Sequence, residues 1–292
     1  MMKLIVNADD LGIHPSIDEG IRRAYTNGIL TSASIFMTTP FVESAIENVI
    51  KKTKIPVGLH LSLTTGKSCA EPRNVPLLAD REGNFKNTPA KIIKQIFSRH
   101  KKGLLDQIKL ELKAQFERAK DLSVELTHFD AHQNFHFIPE IFKILKEIAP
   151  EYGVSKVRLS KELFYVFTVI DQTINLVRRK NPLKWAISRY SYSRIRHNFT
   201  TTDYFFGIMY SGIMNRKTFL NFIKCMRVNK SYEVALHPGF AAPENEKPYL
   251  FPAHNRFISS LARIKEYEIL TDPEIRNIIK AKNIKLISYK DI

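Results

Sequence analysis

The chain has 292 residues, 44% hydrophobic and 25% charged, a balance that excludes a disordered or collagen-like chain and provides for a large buried core. Two cysteines, Cys69 and Cys225, are too few for a disulfide framework or a cysteine-based zinc site. A formal charge of +16 favours anionic partners in general, whether nucleic acid, an acidic membrane surface or a charged substrate, without choosing among them.

The first apolar run, Lys3 to Asp9, reads as a buried strand that ends in two adjacent carboxylates, Asp9 and Asp10. Ser16 and Glu19 have the spacing of a capping box, and Asn27-Gly28 offers a left-handed helix stop between which one helix is expected. Ser32 to Thr38 reads as a strand, Pro40 to Lys52 as a helix and Val57 to Leu63 as a third strand. Apolar residues recur at helical spacing from Thr88 to about Ala119, with Gly103 as the expected break. A strand over Val124 to His132, a helix from Pro139 to about Ala149 and a short strand over Lys156 to Leu159 follow.

From about Lys161 to Phe199 the pattern gives way to a basic, aromatic excursion. Arg178, Arg179, Lys180, Lys184, Arg189, Arg194 and Arg196 fall in it, interleaved with Trp185, Tyr190, Tyr192 and Phe199, and no acid lies between Asp171 and Asp203. It reads as a solvated face or as a surface for an anionic glycan or membrane. Asp203 to Phe206 and Tyr232 to His237 then read as strands around a helix from about Lys217 to Met226. Asp272-Pro273 starts a late helix, with Asp at N-cap and Pro at N1, and Lys285 to Tyr289 makes a last strand.

Strands and helices alternate seven or eight times over residues 1–292 with no internal repeat. We expect one α/β domain with a barrel-like fold, a distorted TIM-type barrel of seven or eight strands. The turn after the first strand carries acids and lacks both glycine-rich nucleotide fingerprints, which argues against a dinucleotide or P-loop site. No run approaches the roughly 18 apolar residues of a spanning helix, and no signal segment opens the chain. A cytoplasmic location, at most peripheral to a membrane, is therefore expected.

Side-chain alternation places His128, Asp130 and His132 on one face of their strand, and Glu233, Ala235 and His237 on one face of theirs. Strand ends share one rim in a parallel barrel, so Asp9, Asp10, His60, His132 and His237 can converge there around a divalent ion. His14, His100, His197 and His254 lack that setting and read as surface or loop residues.

These segments resemble the YdjC-like carbohydrate deacetylases (the ChbG/HpnK group). The likeness rests on Asn7-Ala8-Asp9-Asp10-Leu11-Gly12, Gly58-Leu59-His60-Leu61, Thr127-His128 through Asp130-Ala131-His132 to His136, and His237-Pro238-Gly239. It implies a (β/α) barrel-like fold and hydrolysis of N-acetyl groups on amino sugars with one divalent metal ion, Mg²⁺ or Zn²⁺. Asp10, His60 and His132 would hold the metal, Asp9 would be the general base and His237 the acid.

Asp130, His136 and Glu233 would support the ligands or contact substrate, although Glu233 could equally be a buried partner of an arginine. The expected partner is an acetylated carbohydrate, with an anionic or lipid-linked glycan on the basic stretch as an extension. Nucleic acid is not expected, and a homodimer is compatible with the resemblance. One departure stands out: Gln133-Asn134-Phe135 separates His132 from His136, where relatives often place a histidine directly after the second ligand. A non-catalytic glycan- or membrane-binding protein on a degenerate barrel is the competing expectation.

Overall fold

The first apolar run becomes the central strand of a curled parallel sheet. The strands are β1 (Met2–Leu11), β2 (Ser32–Ile35), β3 (Val57–Leu61), β4 (Leu126–Ala131), β5 (Tyr204–Phe206), β6 (Ser231–Leu236) and β7 (Ile284–Leu286). In this computed structural model, which describes residues 1–99, 101–159, 161–162, 181–195, 198–240 and 260–292, they are ordered β4-β3-β2-β1-β6-β5. β7 pairs with the start of β1 through Met2 to Leu4. Every ladder is parallel, and the single α/β domain is a half-barrel. Across its open side, isolated parallel bridges from Phe129 to Val157 and from Glu162 to Phe205 link β4 to β5. The expected short strand at Lys156 to Leu159 is this bridging segment.

Helices cover the outer face and bury its aliphatic residues. Leu4, Val6 and Ala8 of β1 and Ile17, Ile21 and Ala24 of the helix Pro15–Asn27 are fully buried in one core. Asp272 caps Pro273–Ala281 as expected, accepting from the Glu274 and Ile275 amides at 2.8 and 3.4 Å. The inner face is different: in place of the branched aliphatic layers of an ordinary TIM barrel, Asn7, Ser34, His128, Asp130, Arg158 and Glu233 are buried there and hydrogen-bonded to one another or to neighbours.

Several local expectations are corrected. Ser16 and Glu19 do not form a capping box. His14 is the N-cap, its Nδ1 accepting from the Ser16 amide at 3.2 Å, and Glu19 is turned to Arg22 and Arg23. His14 is thus a loop residue, as one of the two expected settings had it, but a buried one, while His100, His197 and His254 lie outside the described residues. Gly28 is extended (φ −120°), so that helix stops without a left-handed cap. Gly28 is needed for space instead, because a Cβ there would lie 2.4 Å from the Leu270 carbonyl oxygen. Gly103 sits inside the helix Lys101–Asp121, and the break comes earlier, after Pro89–Ile96. Of the basic excursion, residues 181–194 form a helix, Asn181–Arg194, and most of 161–180 lies outside the described residues.

Candidate active site

The two adjacent carboxylates pose a geometric problem, since neighbours on a regular strand point to opposite faces. β1 solves it with an irregularity. Its register to β2 shifts between Ala8 and Leu11, and Asp10 takes a left-handed backbone (φ 71°). A bulge of this kind re-aims one side chain, and aspartate is among the residues that tolerate this conformation. Asp9 and Asp10 therefore both reach the same rim.

Asp10 Oδ1 lies 3.6 Å from His60 Nε2 and 3.5 Å from His132 Nδ1, and the atom is buried without a hydrogen-bond partner. Asp10 Oδ2 accepts a hydrogen bond from Arg263. Burial opposes its charge, but the Arg263 guanidinium and the two imidazoles outweigh burial and hold its carboxyl well below the usual range. His60 is oriented from behind, its Nδ1 sharing a 2.6 Å hydrogen bond with Asp130 Oδ1. Asp130 is fixed in turn by Ser34 Oγ, donating at 2.8 Å, and by Arg158 at 2.7 Å. His132 opens the turn His132–Phe137, in which Gln133 and Asn134 both have left-handed backbones.

Asp9 is held as firmly from a second side. Arg158 Nη1 and Nη2 donate to its two oxygens at 2.9 and 2.7 Å, and Asn7 Nδ2 donates to Oδ1 at 2.9 Å. His237 Nε2 stands 3.9 Å from Asp9 Oδ2. Behind it, Glu266 faces His237 Nδ1 at 3.6 Å and accepts the backbone N–H of the same residue. Burial disfavours a charged ring at His237, but Glu266, together with Asp10 and Asp9, outweighs it, so its pKa is raised. The Pro238-Gly239 turn packs against the first helix so closely that a Cβ on Gly20 would lie 2.5 Å from Gly239 Cα.

The remaining expected residues lie deeper. Glu233 does not touch His237. It accepts from Arg158 Nε at 2.8 Å and from the Tyr289 hydroxyl, and burial pushes its carboxyl up to about 7. His136 is fully buried with Nε2 3.0 Å from the Arg158 carbonyl oxygen, and burial pushes its pKa down to about 3. His128 stacks on Tyr289 at 3.7 Å between ring centroids.

Arg158, Arg263 and Glu266 were not singled out by sequence. An isolated arginine or glutamate has no local signature; only the unpaired alternative, several buried carboxylates without a cation, signals that such partners must exist. Among the described residues, two donor groups have the proximity a metal needs: Asp10 with His60 and His132, and Asp9 with His60 and Asp130. Arg158 already occupies the second. The first fits a divalent ion, since one orphaned carboxylate oxygen and two imidazole nitrogens face one another.

Known proteins similar to this chain include carbohydrate deacetylases. The chain is 29% identical to a carbohydrate deacetylase of Clostridium beijerinckii, with all of both chains covered. It is 25% identical to a carbohydrate deacetylase of Geobacillus stearothermophilus, covering 98% of this chain and 96% of the relative. Its fold is similar to a crystal structure from Enterococcus faecalis V583, presented as a candidate cellobiose-phosphate cleavage protein, at a TM-score of 0.72 and 23% identity over 99% and 98% of the two chains. A family model described as YdjC-like protein matches residues 3–281, and the chain belongs to that family.

Proposed function

We propose that this chain is a metal-dependent hydrolase that removes the N-acetyl group from an acetylated amino sugar or oligosaccharide. The observation that carries the reading is the orphaned Oδ1 of Asp10 facing two imidazole nitrogens, with a carboxylate and a second histidine on the same rim. The names of the relatives in Clostridium and Geobacillus support the substrate class.

Asp10, His60 and His132 would hold the ion, Mg²⁺ or Zn²⁺. When bound, such an ion supplies Lewis acidity, polarising the acetyl carbonyl and easing deprotonation of water. Asp9 acts as general base on the attacking water. Arg158 and Asn7 fix the carboxylate plane, so its reacting orientation needs no further ordering. His237, faced by Glu266 at Nδ1, donates to the departing amine nitrogen as the C–N bond breaks. Asp130 orients His60 and so acts on the ligand set rather than on substrate.

The finer substrate assignment is an anionic or lipid-linked sugar. The helix Asn181–Arg194 supports it: Leu183, Ile187 and Tyr190 are exposed at helical spacing beside Lys184, Arg189 and Arg194. That helix packs against the turn that carries His132. Acetate release from neutral chito-oligosaccharides and from anionic N-acetylated sugars, each with Zn²⁺, Mg²⁺ or chelator, tests the reading. Acetate release that persists under chelation would remove the metal, and no release from any N-acetylated sugar would remove the activity.

A further inference from the structure

The helix Leu261–Thr271 places Arg263 and Glu266 one turn apart, and both are buried. Side chains at that spacing share a helix face. Arg263 Nη2 donates to Asp10 Oδ2, the oxygen turned away from His60 and His132, while its Nη1 lies 3.5 Å from the His237 carbonyl oxygen. Glu266 takes the His237 backbone N–H and faces Nδ1 of that ring. One face of one helix thus touches both the candidate metal ligand on β1 and the candidate acid directly after β6.

We infer that Arg263 and Glu266 are a pair of positioning residues with divided duties. Arg263 confines Asp10 to one metal-facing oxygen and anchors the His237 backbone, while Glu266 aims the His237 ring at the leaving group. The inference rests on the proposed metal-dependent reading. A carboxylate with both oxygens free can rotate or bind an ion in two ways; a guanidinium on Oδ2 leaves only Oδ1 available. The fork matters as much as the charge, because Arg263 spans Asp10 and the His237 backbone together, which a lysine ammonium cannot reproduce.

The test is calorimetric titration of Zn²⁺ into metal-free protein, with Asp10→Asn as the blank, followed by kcat and KM on metal-saturated enzyme. Arg263→Gln should weaken Zn²⁺ binding about 10- to 100-fold, the loss typical when a residue supporting a metal ligand is removed. Glu266→Gln should leave Zn²⁺ affinity within about threefold and lower kcat about 10-fold or more, with KM unchanged, as for a misaimed acid.

Arg263→Lys keeps the charge and provides a second measure if Arg263→Gln does not fold. It should hold Zn²⁺ within about threefold of the parent while losing about 10-fold in kcat, because the link to the His237 carbonyl is gone. Parental affinity in folded Arg263→Gln, or parental kcat in Arg263→Lys, would overturn the inference and leave the proposed function standing. Absence of specific Zn²⁺ binding by the parent protein would instead overturn the metal-dependent reading beneath it.

Discussion

At the scale of residues, the adjacent acids have separate surroundings and so separate expected roles. Asp10 faces the two imidazoles, whereas Asp9 faces Arg158 and His237. Asp9→Asn should therefore keep the metal and lose kcat by about 10²- to 10⁴-fold, the usual worth of a general base, while Asp10→Asn should lose both. Metal content by elemental analysis, set beside kcat, separates the two outcomes. Asp18 offers a prediction in pH. It is buried, accepts the Gly12 amide at 2.7 Å, and burial pushes its carboxyl up to about 8. Between about pH 4 and pH 8 the folded protein thus keeps a proton that the unfolded chain has released, so raising the pH across that window costs stability. Asp18→Asn removes this slope: its stability relative to the parent should rise steadily from pH 4 to pH 8 in denaturant titrations. A constant difference across that range would contradict the buried protonated acid.

At the scale of elements, what was legible depended on whether polar residues interrupt the apolar period. β1, β3, β4 and β6 were recognisable because their ends combine aliphatic runs with isolated charges or histidines. The helix Leu261–Thr271 was not, because its buried face includes Arg263 and Glu266 beside Ile269 and Leu270, and charged inward positions erase the amphipathic signal. The bulge at Asp9 and Asp10 was equally hidden, since no residue there demands positive φ. Glycine left a different trace. Gly58 in β3 lies against the His128 ring, and an added Cβ would come within 2.3 Å of it. Gly58→Ala should therefore displace His128 from its stack on Tyr289 and destabilise the fold by about 1–3 kcal/mol, as overpacking does. Urea unfolding of the variant checks this, and a midpoint equal to the parent's would mean that the barrel floor has room to shift.

At the scale of the whole molecule, the sheet brings together residues far apart in the chain, and the inner face is held by polar contacts rather than by aliphatic layers. Arg158 alone bridges Asp9, Asp130 and Glu233 of β1, β4 and β6, so the barrel interior and the rim share one charged network. The candidate ligands sit on β1, on β3 and directly after β4. Strand-end chemistry made this convergence legible in outline. The cations that balance it come from segments without motifs, which is why charge accounting required the fold. An ion bound by all three ligands links three parts of the sheet in the folded state and finds no such set in the unfolded chain. At a free concentration 100 times its Kd it should add about 2.7 kcal/mol of stability, which corresponds to an increase in Tm of roughly 4–5 °C for a domain of this size. Chelation should reverse that increase in the parent protein and leave Asp10→Asn unmoved, as followed by calorimetry. Equal responses of the two proteins to chelator would place the stabilising ion elsewhere than at Asp10.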